Sequence, residues 1–125
     1  MLFDTDVLIW VLRGNRKAAE LIERTQQRSL SVVSYMELLQ GARDKQEVRA
    51  IQTFLADAGF EMAPLSENIG HRAAIYMEEF GLKAGMSMAD ALLAATAVEN
   101  HLAFCTANRR HYKAVSELQL KPFQP

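Results

Sequence analysis

The sequence predicts an α/β fold in which a central, mostly parallel sheet is covered by helices on both faces. Short apolar runs alternate with stretches of helical periodicity along the whole chain, and that alternation is the pattern of strands joined by right-handed helical crossovers. The 125 residues are half apolar, enough for one core spanning residues 1–125. No repeat or low-complexity segment interrupts them, and the one stretch of loop composition, Gly81 to Met86, is too short to link two domains.

Leu2-Phe3 is a first short strand, ending at Asp4, and Val7, Leu8, Val11 and Leu12 then carry helical spacing up to a stop at Arg13-Gly14-Asn15. An amphipathic helix follows over Lys17 to Arg28, with Ala18, Leu21 and Ile22 on its apolar face, and then a strand over Ser29 to Val33. A third helix is expected from Ser34 to Ala42 and a fourth over residues 45–58, where Val48, Ile51, Phe54 and Leu55 keep the 3.6-residue period. Phe60 to Pro64 is a strand closed by proline, and Ser66 opens a helix that Gly81 ends. The last third gives a helix from Met88 to Asn100, a strand at Leu102 to Cys105, a turn at Thr106-Ala107-Asn108, a short helix from Arg109 and a final strand near Leu118 to Leu120.

Composition removes several classes of function. A single cysteine, Cys105, forms no internal disulfide, and the opening MLFDTDVLIWVLRG has no cationic stretch ahead of an apolar segment, so a cytoplasmic protein is expected. The apolar runs fall short of the roughly 18 residues of a membrane helix. A net charge of −1 argues at first against nucleic acid, but the charge is uneven. Residues 1–28 hold five basic and four acidic side chains, residues 29–100 five and ten, and residues 101–125 four and one.

In a parallel sheet the ligand site lies beyond the carboxyl ends of the strands, where strand order reverses. Asp4-Thr5-Asp6, Glu37, Asp90 and Thr106-Ala107-Asn108 all follow strands or open helices and can face one cleft. Each also has a purely structural reading. Ser34 with Glu37 and Ser87 with Asp90 match capping boxes, and Asp6 and Asn108 are good N-cap residues, whereas Asp4 stands too early for an ordinary cap. Asp90 opens a helix of small apolar residues and needs a partner there. The candidate ligands are all oxygens, and His71, His101 and His111 show no zinc-type spacing, which argues for Mg²⁺ or Mn²⁺ and against zinc. Such a cation, held by carboxylates, activates water for phosphodiester hydrolysis without a side-chain nucleophile, and none is evident.

At LFDTDVLIWVLRG, SVVSYMELLQGA and SMADALLAATAVENHLAFCTANRRHY the chain resembles a PIN domain, and within that family a VapC-type toxin ribonuclease of a toxin–antitoxin pair. The resemblance runs from Met1 to Tyr112. It implies an α/β/α sandwich, Mg²⁺- or Mn²⁺-dependent endoribonuclease activity on an RNA substrate, a homodimer, and inhibition by a cognate antitoxin. It places Asp4, Glu37 and Asp90 at the acidic metal positions, Thr5 and Asp6 beside the first, and Thr106 and Asn108 at the last motif. Asp6 replaces the commoner Asn, Asn108 a frequent Asp, and His111 a frequent acid, which puts a second metal ion in doubt. Arg109, Arg110 and Lys113, with Arg13 as a weaker candidate, are expected at the rim where RNA phosphates would lie. Trp10, Tyr35, Met36 and Leu39 are expected in the core or at a dimer contact.

Two other functions fit parts of the same residues. Leu2 to Leu8 also resembles the opening motif of haloacid-dehalogenase-type phosphatases, with Asp4 as nucleophile, but the residues after Thr106 supply one acid, Glu117, where that chemistry needs a pair. A non-catalytic PIN-like module that binds RNA or protein is the other alternative, and Asn108 is the residue that favours it.

Overall fold

The computed structural model describes residues 1–125 and contains five strands and seven helices. The strands are β1 (Leu2–Phe3), β2 (Ser29–Ser31), β3 (Glu61–Ala63), β4 (Phe104–Thr106) and β5 (Leu120–Pro122). The helices are α1 (Thr5–Leu12), α2 (Arg16–Arg24), α3 (Val32–Gln40), α4 (Lys45–Asp57), α5 (Glu67–Phe80), α6 (Met88–Glu99) and α7 (Arg109–Tyr112). The sheet order is β3-β2-β1-β4-β5, and every pairing is parallel. The expected α/β/α sandwich is the observed one, with a sheet that is wholly rather than mostly parallel.

Alternation along each strand builds two cores, because successive side chains leave a strand on opposite faces. Leu2 and Phe104 join Ile69, Tyr76, Leu93 and Tyr112 on the face covered by α5, α6 and α7. Phe3, Leu30 and Cys105 point the other way, into a smaller core with Leu8, Ile22, Ile51 and Leu55 from α1, α2 and α4. Helix α6 is buried almost all round, from Ala91 through Ala97, and its small side chains let α5 lie close against it. No helix is long and apolar enough to cross a membrane.

Several boundaries differ from expectation, each for a local reason. Strand β2 stops at Ser31, whose hydroxyl accepts from Val33 N and caps α3, so Val32 and Val33 are helical rather than extended. Ser34 is therefore inside α3 and is not its cap. Helix α2 ends at Arg24 instead of Arg28, because Thr25 turns extended and the Arg28 guanidinium donates to the carbonyls of Thr25, Ala58 and Glu23. The last two strands lie about two residues later than the apolar runs suggest, which brings Thr106 into β4. Gly81 does end α5 as expected, and a Cβ there would meet the Met77 carbonyl oxygen at 2.6 Å.

Candidate active site at the carboxyl edge of the sheet

Strand order reverses between β1 and β4: the chain runs outward from β1 through β2 to β3, then returns to lay β4 on the other side of β1. The residues just past β1 and at the end of β4 therefore flank a crevice that the sheet itself creates. Asp4 leaves β1 there. Its backbone is extended, its Oδ1 accepts from Thr5 N at 2.7 Å, and it is the N-cap of α1. The helix starts at once because one residue both finishes the strand and satisfies the first helical amides. Asp4 thus does stand at the N-cap position, but its side chain accepts from the first helical amide and not from the second or third as in an ordinary cap.

Its second oxygen faces across the crevice. Thr106 Oγ1, 102 positions away in sequence, donates to Asp4 Oδ2 at 2.7 Å and accepts from Asn108 N at 2.9 Å. Asp4 is buried, and that desolvation, with Asp6 and more weakly Asp90 nearby, pushes its carboxyl up to about 7 against the opposing pull of Thr106 and Thr5. Asp6, in the first turn of α1, accepts from Ala107 N at 3.2 Å, and burial raises its carboxyl as well. Asp6 is not an N-cap: its side chain ties α1 to the turn after β4.

Glu37 and Asp90 approach from α3 and α6. Thr5 Oγ1 donates to Glu37 Oε1 at 2.6 Å and lies 2.8 Å from Ser34 Oγ. Ser34 and Glu37 are three apart on one helix face, so both reach the start of α1. The spacing that looks like a capping box is in fact a shared inward face. Ser87 and Asp90 do form a capping box at the start of α6. Asp90 also accepts from Tyr112 OH at 2.9 Å through Oδ1, and its Oδ2 is 3.0 Å from His111 Nδ1. That imidazole nitrogen is in turn 3.0 Å from Asn108 Nδ2, although Asn108, expected as a cap, makes no side-chain cap bond.

Asp4, Thr5, Asp6, Thr106 and, through Thr5, Glu37 thus form one hydrogen-bonded set, and Asp90, Tyr112, His111 and Asn108 a second, joined to the first where Asn108 N donates to Thr106 Oγ1. Charge links the two, since burial, Asp4, Asp90 and Asp6 together hold the Tyr112 phenol protonated. No Lys or Arg forms an ion pair with Asp4, Asp6, Glu37 or Asp90. The donor set suits a hard divalent cation, because buried Asp4, with half-buried Asp6, Glu37 and Asp90 near it and no basic partner, is costly to ionise until a positive charge joins it. As they stand, no three His, Cys, Asp or Glu side chains are arranged to hold an ion. Asp90 is held by its cap, His111 and Tyr112, and Glu37 by Thr5.

Arg109, Arg110 and Lys113 are exposed on and after α7, directly beyond Asn108, and Arg13 is exposed at the end of α1. Glu37 lines a groove of about 520 Å³ whose other walls include Ile9, Leu12, Leu38 and Ile51. Trp10, Tyr35 and Leu39 are half-buried, and Met36 is 51% exposed. Cys105 is buried in β4 with its thiol pushed up to about 12, chiefly by burial, and is no nucleophile. Sequence reasoning gave Ser34 only a capping role and Tyr112 none. The signal for Ser34 was its three-residue spacing from Glu37; for Tyr112 there was none, since its partner is 22 positions away.

The family model that matches the chain is described as the PIN domain and covers residues 1–117. Among solved structures, a toxin–antitoxin complex from Klebsiella pneumoniae is 25% identical, with a TM-score of 0.80 over 99% of this chain and 98% of that one. VapBC-1 from nontypeable Haemophilus influenzae is 20% identical, with a TM-score of 0.81 over 97% and 96%. VapBC2 from Rickettsia felis, bound to a promoter DNA fragment, is 18% identical, with a TM-score of 0.81 over 98% of both chains. No curated protein sequence matches.

Proposed function

The chain belongs to the PIN domain family, and from that premise we propose that it is an Mg²⁺- or Mn²⁺-dependent endoribonuclease, the toxin of a toxin–antitoxin pair. The observation that carries the reading is Asp4: a buried carboxylate at the switch point of the sheet, charged against Asp6 and Asp90 and unpaired by any base. In this reading Asp4, Asp90 and Glu37 hold the cation, which when bound lowers the pKa of a water and offsets charge on the scissile phosphate. Thr106 keeps Asp4 aimed into the crevice, Thr5 and Asp6 fix the start of α1, and Asn108 sits where it would hold a water or a phosphate oxygen. Arg109, Arg110, Lys113 and Arg13 supply positive charge for the RNA backbone on either side.

The structural relatives described as toxin–antitoxin complexes support an antitoxin partner. The apolar groove beside Glu37 suits an amphipathic segment with an arginine that reaches the carboxylates. Exposed Met36, on the same helix as Glu37, is consistent with a second copy of the chain as a further partner. Membership of the PIN family sets aside the phosphatase reading.

The test is cleavage of end-labelled RNA by the full chain. Cleavage is expected with Mg²⁺ or Mn²⁺, to stop on chelation, and to fall at least about 10³-fold in Asp4→Asn, which removes several kcal/mol of charge stabilisation. An Asp4→Asn protein that cuts normally would refute the assignment, and a folded parent that never cuts would favour the non-catalytic alternative.

A further inference from the structure

Trp10 is a large side chain that packing leaves unexplained. It stands in the second half of α1 and is half-buried, yet it belongs to neither core, and no other aromatic ring lies against it. Its indole N–H makes no hydrogen bond within the chain. No buried polar side-chain atom lacks a partner, so that N–H is open to water. The groove beside Glu37 takes Ile9 and Leu12 from the same helix and not Trp10.

Its position on α1 ties it to the crevice. Asp6, Trp10 and Arg13 follow one another at spacings of four and three residues, so they share one face of the helix. Asp6 joins that face to the turn after β4, where it accepts from Ala107 N, and Trp10 lies one helical turn further out, about 6 Å along the axis. Arg13 closes the row, exposed and without an ion pair. Charged neighbours on both sides disfavour a protein interface at this ring, since the core of such an interface is poor in charge. A flat ring between an acidic crevice and a free guanidinium suits an unpaired nucleobase, which offers a π-face to the indole and a phosphate to the cation.

We propose that Trp10 stacks an unpaired base of the RNA beside the phosphate held in the crevice, with Arg13 on a neighbouring phosphate, so that this chain takes RNA that is single-stranded at that point. The proposal rests on the nuclease reading for RNA as the ligand. Every base has a π-face, so the platform selects strandedness rather than sequence.

The chain has one tryptophan, and its fluorescence therefore reports this ring alone. The full chain is titrated in chelator, which keeps the RNA uncut, with an end-labelled single strand of about ten nucleotides. Binding, read by anisotropy of the label, is expected to quench the tryptophan, whereas bound duplex RNA leaves it unquenched. Trp10→Leu, which keeps apolar bulk without a π-face, should weaken single-strand binding about tenfold or more, and Trp10→Phe should keep it within about threefold. The dependence on salt should be unchanged in Trp10→Leu and should lose about one phosphate contact in Arg13→Gln, which separates stacking from charge. Single strands that bind without quenching, or that bind Trp10→Leu as well as the parent, would overturn the proposal. So would a fluorescence change that follows protein concentration with no RNA present, which would put a second copy of the chain on this ring. Cleavage assays in Mg²⁺ separate the two ideas: a parent that cuts without quenching keeps the nuclease and loses the platform, and one that binds with quenching and never cuts keeps the platform and loses the nuclease.

Discussion

Asp4 and Asp6 hold charge where the fold favours neutrality. In the folded chain Asp4 keeps its proton up to about 7, whereas an unfolded Asp releases it near 3.8. Between those values the folded state binds more protons, so in the absence of metal stability falls as pH rises from about 4 to about 7, and then levels off. Asp4→Asn removes that loss. In chelator it is expected to be more stable than the parent by about 2–4 kcal/mol at pH 8, with the gain disappearing by pH 4, as read by urea denaturation. Asp6→Asn keeps an oxygen for Ala107 N and removes a neighbouring charge. It should keep RNA cleavage and also stabilise the metal-free chain at pH 8; loss of cleavage would make Asp6 a ligand. The acidic identity of these positions was legible in the sequence, but their raised carboxyl pKa values were not, since burial is a property of the assembled crevice.

Among the elements, α3 and α6 show how far a local pattern can be read. Both carry a serine three residues before an acid. At α6 the pattern is a true capping box, and Ser87→Ala is expected to cost about 1 kcal/mol of stability. The same change should weaken Mn²⁺ or Mg²⁺ binding if the cap also steadies Asp90, which calorimetric titration would measure. At α3 the same spacing is an inward face, because Ser31 has already started the helix and Ser34 lies against Thr5 of α1. The serine–acid pair alone does not separate the two cases: in both, positions i and i+3 share a side, and what differs is that a serine one turn earlier starts α3 and another element lies beside that side. Helix α7 was placed correctly by Asn108 and Arg109, yet its contributions to the site, His111 and Tyr112, depend on α6 alongside it.

For the whole molecule, the near-zero net charge resolves into an acidic crevice and a basic segment beyond β4, which cancel in the total. A cation that binds the folded chain only should stabilise it by about 2.7 kcal/mol at a hundred times its dissociation constant. That gain is expected as a rise in Tm that Asp4→Asn largely abolishes. A parent whose Tm ignores both Mg²⁺ and Mn²⁺ would show that the crevice holds no ion.

The sequence by itself determined the alternation of strands and helices, hence the covered parallel sheet, and it named the acids that follow the strands. Periodicity within ten residues is enough for that, because which face a side chain takes is set locally. The tertiary structure decided what those acids touch. Asp4 meets Thr106 only because β1 pairs with β4 across most of the chain. Asp90 meets His111 and Tyr112 only because α7 returns to the start of α6. Contacts of that span leave no local pattern, and they are the ones that set charge and hydrogen bonding in the crevice.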